Sequence, residues 1–104
     1  MVTDLAQLTA AERAELLAQL LSQVYLGTLS YGQLLATLRK RLLGMSQQQY
    51  ADRVGISRRT LSDIERDVAT PSFAVIKKLY RPLGLQAGLV PVHSETLKRA
   101  VEKL

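Results

Sequence analysis

The sequence predicts an all-α fold with one added strand, and three observations support the helices. Three segments follow the capping-box pattern of a helix start, a Ser or Thr followed three residues later by Glu or Gln. Apolar residues then recur at spacings of three and four, the period of a helix with one buried face. Glycines stand where two of these patterns end, as helix C-termini favour. These features predict a small domain of five or six helices.

Composition limits the class of protein. The chain has 104 residues, 47% of them hydrophobic, which suffices for one domain with a modest core. It has no cysteine and a single histidine, His93, so we expect no disulfide, no metal and no cofactor. No apolar stretch reaches the ~18 residues of a membrane span, and the N-terminus lacks the features of a signal peptide. We therefore expect a cytoplasmic protein without membrane contact.

Positive charge is concentrated in the middle of the chain. The formal net charge is +5, and residues 31–83 alone sum to +6, with ten basic and four acidic side chains. Residues 1–30 sum to −2 and residues 84–104 to +1. A basic segment favours an anionic partner such as nucleic acid, although scattered basic side chains more often only improve solubility.

Each predicted helix begins at a hydroxyl side chain that accepts a hydrogen bond from the first turn. These N-cap residues are Thr9, Ser30, Ser46, Ser57, Thr70 and Ser94. Gly44 and Gly55 end the second and third helices, and Pro82 ends the fifth, because proline disfavours helix before it. The predicted helices cover residues 10–26, 31–43, 47–54, 58–66, 71–81 and 95–103.

The C-terminal part of the chain adds a strand to this pattern. Residues 85–90 read as a strand because apolar residues alternate with Gln or Gly, at Leu85, Ala87 and Leu89. We divide the chain into an N-terminal helical extension, a central helical domain and a C-terminal strand and helix, over residues 1–30, 31–83 and 84–104. The first helix is expected to complete the core. The last helix covers the core, a dimer seam or a partner.

The third and fourth predicted helices form a helix-turn-helix. About three residues including Gly55 separate them, and so short a turn holds two helices at a steep angle. On a helical wheel Leu61 and Ile64 face inward. The polar side chains lie opposite or on the exposed first turn: Arg58, Arg59, Thr60, Ser62, Asp63 and Arg66. Because a helix N-terminus ordinarily favours acidic residues, we infer that its two arginines serve a partner.

A specific pattern of residues spans both of these helices. It runs Gly, apolar, Ser, Gln, two variable residues and Leu-Ala, then Gly-apolar-Ser and apolar-Ser-x-apolar-Glu. The matching positions are Gly44, Ser46, Gln47, Ala51, Gly55, Ile56, Ser57, Leu61, Ile64 and Glu65. Residues 31–83 thereby resemble the Xre-type helix-turn-helix of lambdoid phage repressors. The resemblance implies a lambda-repressor-like five-helix domain that binds DNA, with an extra N-terminal helix, a C-terminal strand and a short C-terminal helix.

Two positions depart from the family pattern. Tyr50 replaces the usual Leu, which we expect to be tolerated with the hydroxyl in solvent. Asp67 replaces the usual Gly after the fourth helix, and Asp accepts a left-handed conformation better than most residues.

The resemblance also implies two sets of DNA contacts. From helix 58–66, base edges in the major groove are contacted by Arg58, Arg59, Thr60 and Asp63. Phosphates are contacted by Gln47, Gln48, Ser57, Ser62 and Arg66. The alternative for Arg58 and Arg59 is that they are solvated surface residues. The alternative for Gln47 and Gln48 is that they are polar residues of an ordinary helix N-terminus. Four further basic residues either contact phosphates or only improve solubility, and the sequence does not decide between these roles: Lys40, Arg41, Lys77 and Lys78.

Glu65 is predicted to lie beside the apolar stripe of its helix, where a carboxylate needs a partner. The resemblance implies a structural ion pair with Lys40. We interpret this pair as scaffold rather than chemistry.

A strand directly after the fifth helix is similar to the arrangement in HipB-type antitoxins, where it pairs with its two-fold mate. This weaker likeness implies a homodimer joined through Leu85, Ala87 and Leu89, and hence an inverted-repeat operator in double-stranded DNA.

We therefore expect a dimeric, sequence-specific DNA-binding repressor. The alternative is an antitoxin, a protein-binding module that neutralises a toxin and autoregulates its own operon. Enzyme activity is the poorest hypothesis, because the sequence contains no Ser/His/Asp set, phosphate loop or metal cluster.

Overall fold

The computed structural model describes residues 8–104, which contain six α-helices joined by turns and irregular segments. Residues 1–7, the start of the predicted N-terminal extension, lie outside the described residues. A 3₁₀ turn, Arg81–Leu83, follows the fifth helix. The helices are α1 Ala10–Tyr25, α2 Tyr31–Arg41, α3 Gln47–Val54, α4 Arg58–Glu65, α5 Phe73–Tyr80 and α6 Ser94–Glu102. No described helix is long and apolar enough to cross a membrane.

The predicted N-caps of the first four helices are confirmed. Each hydroxyl accepts a backbone N–H three residues on, at Thr9, Ser30, Ser46 and Ser57. The cap predicted at Thr70 is wrong: Ser72 accepts the N–H of Val75, so α5 begins two residues later than expected. The cap predicted at Ser94 is also wrong: Ser94 is the first residue of α6, and its N-cap, His93, makes no side-chain capping hydrogen bond. The helix therefore begins one residue earlier than expected.

The core lies between α2, α3, α4 and α5, with one face of α1 added to it. Leu35, Leu38, Tyr50, Leu61 and Leu79 are fully buried. The inward phase predicted for α4 is confirmed, since Ile64 is buried beside Leu61. The first helix contributes Leu16 and Leu20.

The predicted C-terminal strand is wrong for the described chain. Residues 85–91 have no regular secondary structure, and no strand is present within residues 8–104 to pair with them. Leu85 and Ala87 are half-buried, whereas Leu89 is fully exposed. The alternation in the sequence therefore reflects an irregular segment that packs Leu85 and Ala87 against the helices. Such packing does not require the backbone hydrogen bonds of a sheet.

Candidate nucleic-acid interface

A tight turn joins α3 to α4 and sets their relative position. Gly55 has a left-handed backbone with φ of 80°, which a residue without a Cβ adopts readily. Its N–H and that of Ile56 both donate to the carbonyl of Ala51, at 2.9 and 3.0 Å. Ser57 then caps α4 through the N–H of Thr60 at 3.0 Å. The turn therefore leaves little freedom between the two helices.

The first turn of α4 presents two unpartnered arginines. Arg58 and Arg59 are exposed, and neither guanidinium makes a hydrogen bond or ion pair with another residue of the range 8–104. Thr60 beside them is also exposed, and its hydroxyl accepts from the Ser57 hydroxyl at 2.7 Å. The structure thus brings these predicted site residues together at one end of one helix.

Farther along α4 an acidic and a basic side chain are paired. Asp63 accepts from Nη2 of Arg66 at 2.7 Å, and Arg66 remains largely exposed. Ser62, which precedes Asp63 in the sequence, is half-buried. The Asp63 carboxylate therefore restrains a neighbouring arginine, while both groups stay accessible from solvent.

The start of α3 carries the predicted phosphate-binding glutamines. Nε2 of Gln47 donates to Oε1 of Glu65 at 2.9 Å, and Nε2 of Gln48 donates to Asp52 at 2.8 Å. Both side chains therefore have partners within the chain. The backbone N–H groups of these two residues precede the first intrahelical bond, so they remain donors at the positive end of the helix.

The structural ion pair predicted between Lys40 and Glu65 is wrong, because the partner is Arg39. Nε and Nη2 of Arg39 donate to the two carboxylate oxygens at 2.7 and 2.9 Å, and Nη1 donates to the carbonyl of Met45 at 2.7 Å. Both charged side chains are buried, whereas Lys40 is exposed.

The position of Arg39 on its helix explains this correction. It follows Leu35 by four residues and precedes Leu42 by three, so it projects from the buried face of α2. Lys40 is turned away from that face by ~100°. A guanidinium also matches a carboxylate with two parallel hydrogen bonds, which a lysine ammonium cannot do.

Glu65 is the centre of a network that joins three helices. It receives three hydrogen bonds, two from α2 through Arg39 and one from the start of α3 through Gln47. Since Glu65 is the last residue of α4, these bonds fix that helix relative to the rest of the domain. A buried ion pair is costly unless it is fully hydrogen-bonded, and this one is.

Asp67, two residues after the end of α4, is held from the opposite side. Asp67 has a φ of 60°, so the left-handed conformation expected there is confirmed. Its carboxylate accepts from the Ser30 hydroxyl at 2.6 Å and from the N–H of Gly32 at 3.1 Å. A Cβ on Gly32 would lie 2.5 Å from the carbonyl oxygen of Ile64, so only glycine lets the start of α2 approach the end of α4 this closely.

Tyr50 ties α3 to the end of α5. The expectation that its hydroxyl reaches solvent is wrong: the side chain is fully buried and the hydroxyl donates to the carbonyl of Leu79. Burial raises the pKa of Tyr50 to about 12. A phenol therefore replaces the family's usual Leu by finding a buried acceptor rather than water.

Sequence reasoning missed Arg39, Gly32 and the partners of Asp67. The signal for Arg39 was available, since it falls at helical spacing with the leucines of α2. The close approach at Gly32 had only a weak signal, a glycine inside a helix.

A family comparison identifies the class of this domain, a DNA-binding regulator of the helix-turn-helix type. A family model described as helix-turn-helix matches residues 35–89, which is more than half of the chain. The chain therefore belongs to the Xre-type, lambda-repressor-like helix-turn-helix family. Comparison with curated proteins and with solved structures gave no match.

Proposed function

We propose that this protein is a transcriptional repressor that binds an inverted-repeat operator as a homodimer and reads the major groove with α4. The observation that carries the proposal is that the guanidinium groups of Arg58 and Arg59, on the exposed first turn, have no partner among residues 8–104. The opposite face of the same helix is anchored in the core by Leu61 and Ile64. A helix whose basic N-terminal turn is exposed and whose other face is fixed in the core is suited to binding in the major groove.

The chemistry assigned to each side chain follows from its hydrogen-bonding groups. Arginine donates bidentately to O6 and N7 of guanine, and each such pair contributes about 1–3 kcal/mol of discrimination. Thr60 bonds a base edge through its hydroxyl, and Asp63 accepts from cytosine N4 or keeps Arg66 directed at a phosphate. The remaining contacts position the protein on the phosphates, at Gln47, Gln48, Ser57 and Ser62.

The rigidity of α4 supports this assignment. Hydrogen bonds to Glu65 and Asp67 hold the end of the helix before any DNA is present. Binding therefore requires little ordering of the reading helix, which lowers the cost of association. A repressor of this kind acts in the cytoplasm by occupying its operator. An antitoxin would use the same DNA-binding surface and add a second one for a toxin.

Alanine substitution of the two arginines tests the proposal. An operator is first selected from random duplexes with the wild-type protein, and affinities are then measured by fluorescence anisotropy at fixed salt. Arg58→Ala and Arg59→Ala should each weaken specific binding by about 1–3 kcal/mol and relax base preference, with an unchanged melting temperature.

Arg99→Ala is the matched control, because Arg99 is an exposed arginine on α6. Its binding should equal that of the wild type. If the Arg58 and Arg59 variants also bind the selected operator like the wild type, α4 is not the reading helix.

A further inference from the structure

An apolar groove lies between α1, α2, α5 and residues 85–90, separate from the first turn of α4. Its volume is about 660 Å³. Large apolar side chains on its rim are exposed to solvent: Tyr25, Tyr31, Phe73, Leu89 and Val90. Such a concentration of exposed apolar surface is typical of a docking surface rather than of a bare monomer.

The last helix has an apolar side that the described chain covers only in part, at the half-buried Leu97. None of the residues of α6 is buried. Leu97, Ala100, Val101 and Leu104 fall on one side by their spacing, and Val101 is 56% exposed. A helix of nine residues is marginal in water without tertiary packing. This apolar stripe of α6 therefore needs a partner surface.

We propose that α6 of one copy packs its apolar stripe into the groove of a second copy, and that the exchange is reciprocal. The inference rests on the proposed homodimer and names its interface. The groove and the stripe are the two exposed apolar surfaces described above, and a two-fold exchange covers both of them in both copies. A different protein partner would need one surface that fits the groove and a second surface that fits the stripe of α6.

The connection to α6 supports an exchange between copies. Residues 85–90 already form one wall of the groove, and only residues 91–93 separate that wall from the first residue of α6. These three residues span at most ~10 Å and include Pro91, whose φ is fixed. No residue of α6 is among the described residues that line the groove, and none is fully buried.

The two surfaces also agree in charge. Asp67 is the one charged side chain among the described residues that line the groove. On α6, Lys98 borders the apolar stripe. A lysine at the edge of the stripe and a single carboxylate in the groove are opposite in charge, which favours the docked arrangement.

Two glutamate variants test the interface by sedimentation of the full chain. Val101→Glu places a charge in the stripe and Phe73→Glu places one on the rim, and each should weaken the dimer at least tenfold. Phe73 is the first residue of α5, where a carboxylate suits the helix dipole, so this variant should keep its helix. Gln19→Glu, at an exposed position on α1 that does not line the groove, adds the same charge and should dimerise like the wild type.

A wild-type chain that is monomeric at micromolar concentration overturns the inference. So does a dimer that neither Val101→Glu nor Phe73→Glu weakens.

Cysteine cross-linking then distinguishes exchange from folding back, since the natural chain has no cysteine. An oxidised mixture of Thr70→Cys and Ala100→Cys proteins should give a mixed disulfide dimer. Gln19→Cys, an exposed position on α1 that does not line the groove, replaces Thr70→Cys as the control and should give none. If the double variant of Thr70 and Ala100 forms an internal disulfide in a monomer, α6 covers its own groove and the inference fails.

DNA binding separates this inference from the proposed function. Val101→Glu should bind a duplex with one half-site as the wild type does, because α4 is untouched. Half-site binding without the mixed disulfide means that only the interface is wrong. The mixed disulfide without binding to any selected duplex means that only the DNA-binding function is wrong.

Discussion

At the scale of single residues, buried or anchored polar groups decide where α4 ends. The left-handed conformation of Asp67 costs about 1–2 kcal/mol for a residue with a Cβ. Two hydrogen bonds to its carboxylate, from Ser30 and Gly32, offset that cost. These donors belong to the start of α2, where the helix dipole also favours a negative charge. An aspartate thus does more than the usual glycine, because it joins two helix ends.

Substitutions of Asp67 separate the conformational cost from the hydrogen bonds. Asp67→Ala should lower the free energy of unfolding by about 2–4 kcal/mol, since it loses both bonds and keeps the strained φ. Asp67→Gly loses the same bonds without the strain and should be about 1 kcal/mol more stable than the alanine variant. Urea titration measures both, with Asp52→Ala as an exposed carboxylate control expected within about 0.5 kcal/mol of wild type. Equal stability of the alanine and glycine variants would show that φ carries no cost here.

Local chemistry could be predicted for single residues, but their distant partners could not. The left-handed Asp67 and the caps Ser30 and Ser57 follow from residue type and position in the chain, and each was predicted correctly. The acceptor of the Tyr50 hydroxyl lies 29 residues away on another helix, so solvent was the natural but wrong expectation. The resemblance implied Lys40 as the partner of Glu65, whereas the observed partner, Arg39, is set by the phase of α2.

At the scale of elements, α4 is a helix of only eight residues that depends on its surroundings. Propensity alone does not stabilise so short a helix. Its apolar side is buried through Leu61 and Ile64, and its last residue is held by Arg39. Such elements are predictable because caps and period-3.6 patterns are local. The strand was mispredicted because a strand depends on a neighbour that a single segment does not specify.

The buried pair of Arg39 and Glu65 provides a test of what positions α4. Glu65→Ala should lower the free energy of unfolding by about 3–5 kcal/mol, because it leaves a buried guanidinium without its carboxylate. Lys40→Met should change it by less than about 0.5 kcal/mol, since Lys40 is exposed. Chemical denaturation followed by circular dichroism measures both variants.

The double variant Arg39→Met with Glu65→Leu should recover much of that stability, as apolar pairs often replace buried ion pairs at little cost. A loss as large as that of Glu65→Ala would mean that the hydrogen bonds to Met45 and Gln47 matter more than the pair itself.

At the scale of the whole molecule, the two arginines of α4 and the exposed aromatic residues lie on different elements. The basic first turn of α4 carries Arg58 and Arg59, whereas the exposed apolar rim lies near Tyr25, Tyr31 and Phe73. This separation suits a protein that binds an anionic polymer with one surface and a second copy with another. The matched segment, residues 35–89, includes α4 and most of the groove wall formed by residues 85–90, but it does not include α6.

The geometry of the proposed dimer predicts the layout of the operator. Two copies related by a two-fold axis present their α4 helices in opposite directions, so the operator should be an inverted repeat with half-site centres about 34 Å apart, or a multiple of that. Inserting about 5 base pairs between the half-sites turns one of them to the opposite face of the duplex, and affinity should fall to that of a single half-site. The same insertion outside the repeat is the matched control and should leave binding unchanged. Anisotropy titrations at one salt concentration compare the duplexes, because affinity for DNA depends steeply on salt. Undiminished binding to the split operator would show that one rigid dimer does not read both half-sites.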